Sequence, residues 1–302
     1  MTGDSHELST LLSEQAAALA RLLAAAGPAE AAEVDRAFSA LAATVRRLGD
    51  LLGVDDSQET AAASVLEVTV PVLGVDACKA GWVGAILEPG APRPRVAVAS
   101  TIVDLVETVR QSLDLHAVAI DIPIGLPDDT TRQADLLARR ALSGKALQGK
   151  ASSVFTTLTR AAYAETTRDA ADPVNRALTG QGVGAQAFGL RAKILEVDAW
   201  VRSRPTVLVL EAHPEVSFAA MSGAPIAAGK KTEEGRVARL AALRAAGLAS
   251  PSVLQGPGYA ADDVLDACAA AWTAARRMTG DAQPLPDPPQ TFSDGIPAAI
   301  WV

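Results

Sequence analysis

The sequence predicts an α/β protein in which a mixed five-stranded sheet is flanked by helices and preceded by an N-terminal α-helical hairpin. Three observations carry this. The stretch V-L-G-V-D-A-C-K-A-G-W-V-G-A-I-L over 72–87 reads as a strand, a tight turn and a second strand. The runs H-A-V-A-I-D-I-P (116–123) and T-V-L-V-L-E-A-H-P (206–214) are continuously apolar, as strands buried on both faces are. Apolar residues at helical spacing fill the segments around them. A hairpin first and crossovers later give strands of mixed direction.

The elements follow in order. Leu8, Leu11, Leu12, Leu19, Leu22 and Leu23 recur at helical spacing over 7–26, and Gly27-Pro28 stops that helix. Val34, Phe38, Leu41, Val45 and Leu48 form one stripe over 29–52, so the two helices make a hairpin with apolar faces to bury. Residues 53–66 read as a linker, giving a helical extension over 1–66 and a main domain over 67–302. The extension offers no convincing catalytic group: His6 reads as a surface residue, and the hairpin suits homodimerisation. A third strand is expected over 95–99, then a helix over 101–112 with Ile102, Leu105, Val106 and Val109 inward. The fourth strand is the run ending at Asp121. A helical insertion occupies about 128–200, interrupted by loops at S-G-K-A-L-Q-G-K and T-G-Q-G-V-G-A-Q. The fifth strand is stopped by Pro214. Helices follow over 235–246 and 261–278, the latter closed by Gly280 as a C-cap. The Pro-rich tail has room for one short closing strand.

Composition limits the function classes. Hydrophobic residues make up 49% of the chain but aromatic ones only 4%, so the core is expected to be built from Ala, Val and Leu. No apolar run approaches the ~20 residues of a membrane helix, and the N-terminus lacks a signal peptide's basic region. Cys78 and Cys268 are too few for a disulfide framework, which fits a reducing cytoplasm, and they form no zinc-ligand spacing with three scattered histidines. The net charge is -8, but it is uneven: residues 1–66 carry a net of -6 and residues 123–195 a net of +4. A locally basic lobe beside clustered acids suits a polyanionic substrate; a solvated helical face would leave the same pattern.

The acids carry the chemistry. Asp76 and Asp121 sit in apolar strands, where a carboxylate is costly unless paired, hydrogen-bonded or metal-bound. Glu211 ends the fifth strand, and strand ends line the crevice in α/β sheets. In D-D-V-L-D, Asp266 shares a helix face with Asp263 or Asp262, and the remaining front aspartate caps the helix against its dipole. Carboxylates gathered in a crevice repel one another unless a cation is bound, and hard oxygen ligands favour Mg²⁺ or Mn²⁺. Two such ions about 4 Å apart stabilise both oxygens of a phosphodiester displacement. Taken singly, an acid is better explained by a cap, a turn bond or an ion pair, but Asp76 and Asp121, both inside apolar strands, point to function.

The order of these acids resembles the RNase H-like fold, and D-D-V-L-D-A-C-A-A-A-W-T-A is similar to the last-helix motif of RuvC-type Holliday-junction resolvases. More closely, G-V-D-A-C-K-A-G-W-V-G, I-D-I-P-I-G-L-P, S-S-V-F, E-A-H-P-E-V-S-F and D-D-V-L-D-A, in that order, resemble domain-of-unknown-function family 429 over about 70–302. That family is described as predicted RNase H-like nuclease. The resemblance implies a metal-dependent nuclease with nucleic acid as partner. It makes Asp76, Asp121 and Asp263 or Asp266 the metal ligands, with Glu211 a fourth catalytic candidate. His213 becomes a candidate for proton transfer or phosphate binding. Arg132 and Arg139 become candidate phosphate contacts, Lys230-Lys231 a basic clamp and Ser152-Ser153-Val154-Phe155 a crevice rim.

Two other readings share the same elements. An actin- or sugar-kinase-like phosphotransferase would normally show Asp-x-Gly-Thr/Ser in the first hairpin, whereas Ala77, Cys78 and Lys79 follow Asp76 here. A catalytically silent binding module would keep the acids without turnover.

Overall fold

In the computed structural model, which describes Thr44 and residues 66–143, 150–251 and 253–302, the sheet is built outward from β1 (Val72–Cys78). The predicted hairpin and linker, His6, the dimer contact assigned to that hairpin and the loop over 144–149 lie outside the described residues. Apart from Thr44, the described residues belong to one compact unit, Ser64–Val302.

β1 pairs antiparallel with β2 (Gly81–Leu87) across the two residues Lys79 and Ala80, and β2 pairs antiparallel with β3 (Arg95–Ala99). On its other side β1 runs parallel to β4 (Ala117–Ile120), which runs parallel to β5 (Leu208–Ala212). Two further strands extend the sheet: β7 (Pro297–Trp301), parallel to β5, and β6 (Pro284–Thr291), antiparallel to β7. The order is β3-β2-β1-β4-β5-β7-β6, so the expected five strands are seven. The reason the last pair was unreadable is chemical. β6 carries Pro284, Pro286, Pro288 and Pro289, which argue against a central strand but are tolerated at a sheet edge, where β6 lies.

Alternation along the strands divides the core in two. Leu73 and Val75 of β1, Val118 and Ile120 of β4 and Val209 of β5 face a rear layer, which includes α1 (Ile102–Arg110) and α6 (Arg191–Arg202). α1 is capped by Thr101, whose hydroxyl accepts from Asp104 N–H (3.1 Å). The insertion between β4 and β5 also holds α2 (Gln133–Ala141), α3 (Arg160–Ala164), α4 (Arg168–Thr179) and α5 (Ala185–Gly189).

On the front, Val72, Ala117, Ala119, Leu210 and Ala212 pack with α9 (Ala261–Thr279). α9 is alanine-rich where it crosses β1, so the two backbones approach closely. A Cβ at Gly74 would stand 2.0 Å from Ala271 N and 2.1 Å from Ala267 O, so only glycine fits there. Gly280 closes α9 in the left-handed conformation. α7 (Pro214–Ser222) and α8 (Glu233–Ala245) complete this layer. α7 was not anticipated: Pro214, read as the end of β5, is the first residue of a helix, a position proline favours. Among the described residues no helix is long and apolar enough to cross a membrane.

Candidate functional site: a buried carboxylate cluster

Asp76 follows Val75 in β1 and by alternation faces front, on the side of Gly74 and α9. Val75 is the parallel partner of Ile120, and Asp121 N–H still donates to Val75 O (3.0 Å). The alternation therefore runs one residue past β4 and brings Asp121 beside Asp76. Asp266 arrives from the second turn of α9, the helix whose N-terminal dipole end favours carboxylates. Asp76 and Asp266 are buried and Asp121 is half-buried.

Electrostatics tie the three together. Burial pushes the Asp76 carboxyl well above its ordinary range, and the charges of Asp121, Asp266 and Asp263 add to the rise. Asp121 is raised by burial, with His213 and Lys230 pulling it down and Glu215 pushing it up. Asp266 is pushed up to about 7 by burial and by Asp121 and Glu215, against the pull of Lys230. The Asp76 Oδ1 accepts from Ala77 N–H (2.7 Å), a local bond that does not offset three like charges.

One cation already stands in the cluster. Lys230 Nζ donates to Asp266 Oδ2 at 2.7 Å; although burial works against its charge, Asp266, Asp76 and Asp121 together hold the ammonium above its usual value. The segment that delivers Lys230 is anchored from beneath. Arg239, fully buried in α8, donates to Ala228 O (3.4 Å) and Gly235 O (3.1 Å) and is ion-paired with Glu215 of α7. Beside the cluster an open groove of 500 Å³ is lined by Lys230, Lys231, Arg236, Asp262 and Asp263, among others.

Asp263 and Asp262 take different parts. Asp263 Oδ2 accepts from Ala260 N–H (2.9 Å), the cap bond, yet its charge also reaches Asp76. Asp262 influences Asp263 without being among the charges that act on Asp76. Asp263 is thus the capping aspartate, and its charge also adds to the rise at Asp76.

Glu211 is not in the cluster, and parity explains why. It pairs in register with Ile120, one residue short of Asp121, and shares the rear face with Val209. There it accepts from Ile124 N–H (2.8 Å) and is ion-paired with Arg132. Arg132 is fully buried, donates to Thr157 Oγ1 (3.1 Å) and lies 3.6 Å from Asp135, whose carboxylate accepts from Thr157 N–H (2.7 Å). With no exposed surface, Arg132 cannot meet a phosphate; it holds α2 to β5 through a buried ion-pair network. Burial pushes Glu211 up to about 7, and the Arg132 guanidinium opposes that rise. Arg139 is also committed, donating to Val154 O (2.9 Å) and Thr156 Oγ1 (2.6 Å), so it fixes the loop after Ser152-Ser153.

His213 caps the end of β5 and starts α7. Its Nδ1 is buried and has no hydrogen-bond partner, and the ring borders an 80 Å³ cavity together with Asp121, Ser153, Phe155 and Gln186. That volume accommodates one or two waters at roughly 30 Å³ each.

The donor set suits a hard divalent cation in its chemistry: carboxylate oxygens only, mutually repelling, with Asp266 Oδ1 buried and unpartnered. As the side chains stand, no three Asp, Glu, His or Cys residues among the described ones close into a ligand set, and Lys230 holds the cation's part. The arrangement fits an ion that replaces the lysine ammonium rather than one that joins it.

The family described as "Protein of unknown function (DUF429)" matches residues 74–291. No curated protein and no solved structure matches the chain.

Proposed function

The chain belongs to domain-of-unknown-function family 429, and within it we propose that it is a metal-dependent nuclease built on an RNase H-like sheet. The observation that carries the proposal is the convergence of Asp76, Asp121 and Asp266, from two adjacent parallel strands and one helix, into a buried cluster of like charge. Carboxylates are placed this way where a cation is to be held. The order of the first five strands, three antiparallel and two parallel to β1, supports the RNase H-like part of the reading.

Asp76, Asp121 and Asp266 would hold Mg²⁺ or Mn²⁺, with Asp263 at the rim. When bound, the ion supplies Lewis acidity and lowers the pKa of a coordinated water. Lys230 offsets part of the cluster's charge and also lines the neighbouring groove; with an ion on Asp266, its ammonium would be free for that groove. There, with Lys231 and Arg236, it offers cationic contacts to a nucleic-acid backbone. His213 Nδ1, buried and without a partner on the cavity it shares with Asp121, would be placed to take a proton from a water bound there.

The turn between β1 and β2 counts against the phosphotransferase alternative. Lys79-Ala80 is a two-residue turn, and Ala80 N–H donates to Gly258 O (2.8 Å), so the turn is closed against another loop.

Cleavage assays test the reading. The purified chain with Mn²⁺ or Mg²⁺ is expected to cut at least one of single-stranded, duplex or branched DNA or RNA. Asp121→Asn should lower that rate by about 10²–10³-fold, the scale of a lost electrostatic contact at a reacting centre. If none of these substrates is cut with either ion, the nuclease assignment fails.

A further inference from the structure

We propose that the wedge between β5 and β7 is a binding pocket for a nucleoside phosphate, separate from the carboxylate cluster. β5 meets β7 only at Glu211–Ile300 and Ala212–Trp301. Leu208, Val209 and Leu210 pair with β4 on one side and have no ladder partner on the other, so the sheet is split over half the length of β5. The split opens a cavity of 760 Å³, within the range of about 300–1,000 Å³ that small-molecule sites occupy.

The charge of its walls is one-sided. Arg202, Arg204 and Arg277 line the cavity. Arg202 has only a 3.9 Å approach to Asp198, whose carboxylate is already bonded at 2.6 and 3.0 Å by Arg160. Arg204 and Arg277 form no ion pair with any described residue; Arg277 lies over the Trp301 ring, 4.5 Å from its centroid. The two acids in the same walls are taken from behind, Asp294 by Arg160 and Glu211 by Arg132. Three arginines therefore line a cavity whose two carboxylates are ion-paired with other residues. Guanidinium is the side chain whose planar fork matches phosphate, and stacking on Trp301 pre-orients one of the three.

The remainder of the wall is apolar and open. Leu208 is 40% exposed at the head of β5, and Ile296 and Pro289 line the same cavity. An inorganic anion would leave that surface uncovered; an anion carrying a planar, largely apolar body covers it. Arg204 lies just past the end of α6, where a left-handed residue commonly closes a helix; with a φ of +55° it is the only non-glycine residue with positive φ among the described ones.

The test is calorimetric titration of the full chain with AMP, ATP and orthophosphate in EDTA, so that no divalent ion contributes. AMP or ATP is expected to bind with Kd below about 1 mM, and orthophosphate at least about tenfold more weakly. The double variant Arg204→Ala, Arg277→Ala should weaken nucleotide binding by about tenfold or more, while Asp76→Asn leaves it unchanged. Arg204→Gly removes the guanidinium at a position whose φ suits glycine, and keeps the test interpretable if the double variant misfolds. The proposal is overturned if neither nucleotide binds at about 5 mM, if binding survives loss of these arginines, or if Asp76→Asn abolishes it.

Discussion

Asp76→Asn is expected to raise the melting temperature of the metal-free protein while abolishing divalent-ion binding and cleavage. The sign follows from the direction of the Asp76 shift. Its carboxyl is held well above its ordinary range by burial first and then by Asp121 and Asp266. A group raised in the folded state contributes stability below its unfolded pKa and loses it as pH rises through the folded value. Above the unfolded value the raised Asp76 carboxyl therefore costs the native state stability, and an isosteric amide removes that penalty. Asn keeps an Oδ1 to accept the Ala77 N–H, so the local bond survives. The expected gain is about 2–6 °C at pH 8, and smaller at pH 5, closer to the carboxyl's unfolded value. Asp266, pushed up to about 7, adds a decline of wild-type stability over roughly the same interval. Calorimetric melting in EDTA at the two pH values reads the effect. A merely structural acid would give the opposite sign, a loss of stability on substitution.

Arg132→Met should produce the largest loss of stability of any single change at a residue singled out in the sequence. It leaves Glu211 and Asp135 buried without their shared cation, a situation that costs about 3–5 kcal/mol. Glu211→Leu should fall in the same range, because it leaves the Arg132 guanidinium buried with only Thr157 Oγ1 and the 3.6 Å approach to Asp135. The pair Arg132→Met, Glu211→Leu should recover much of what either change loses, since apolar groups replace both charges. Urea unfolding of the three variants measures this. Additive losses in the double variant would show that the two side chains do not act as a pair.

These two residues also mark where the sequence was readable and where it was not. Asp76, Asp121 and Asp266 stand out because a charge in an apolar run demands an explanation, and all three come together. The hairpin, β3, β4, α1 and α9 were legible from period and punctuation, since Lys79-Ala80 and Gly280 fall where a turn and a cap are required. Glu211 lies on the opposite face of the sheet from Asp76, and the signal for this was present. Aligning Val207-Leu-Val-Leu-Glu with Ala117-Val-Ala-Ile-Asp by strand end puts Glu211 opposite Asp121, whereas the true register is one residue off and reverses the face. Arg132 was not recoverable in the same way. Helical spacing says which residues share a face, but not whether that face meets solvent or a carboxylate 79 residues downstream. Lys230 acquires its role only through Asp266, 36 residues away, and no local pattern announces such a contact. α7 and β6 were hidden by prolines, one starting a helix and four lying along an edge.

The claim on which the rest depends is that the carboxylate cluster is a divalent-cation site in which Lys230 holds the ion's place. Titrating Mn²⁺ into the wild-type chain and into Lys230→Gln by calorimetry tests it directly. The account predicts binding to both, tighter by about tenfold or more in Lys230→Gln, because the ion no longer competes with an ammonium 2.7 Å from Asp266. Absence of Mn²⁺ binding in both proteins, or weaker binding in Lys230→Gln than in the wild type, would contradict it.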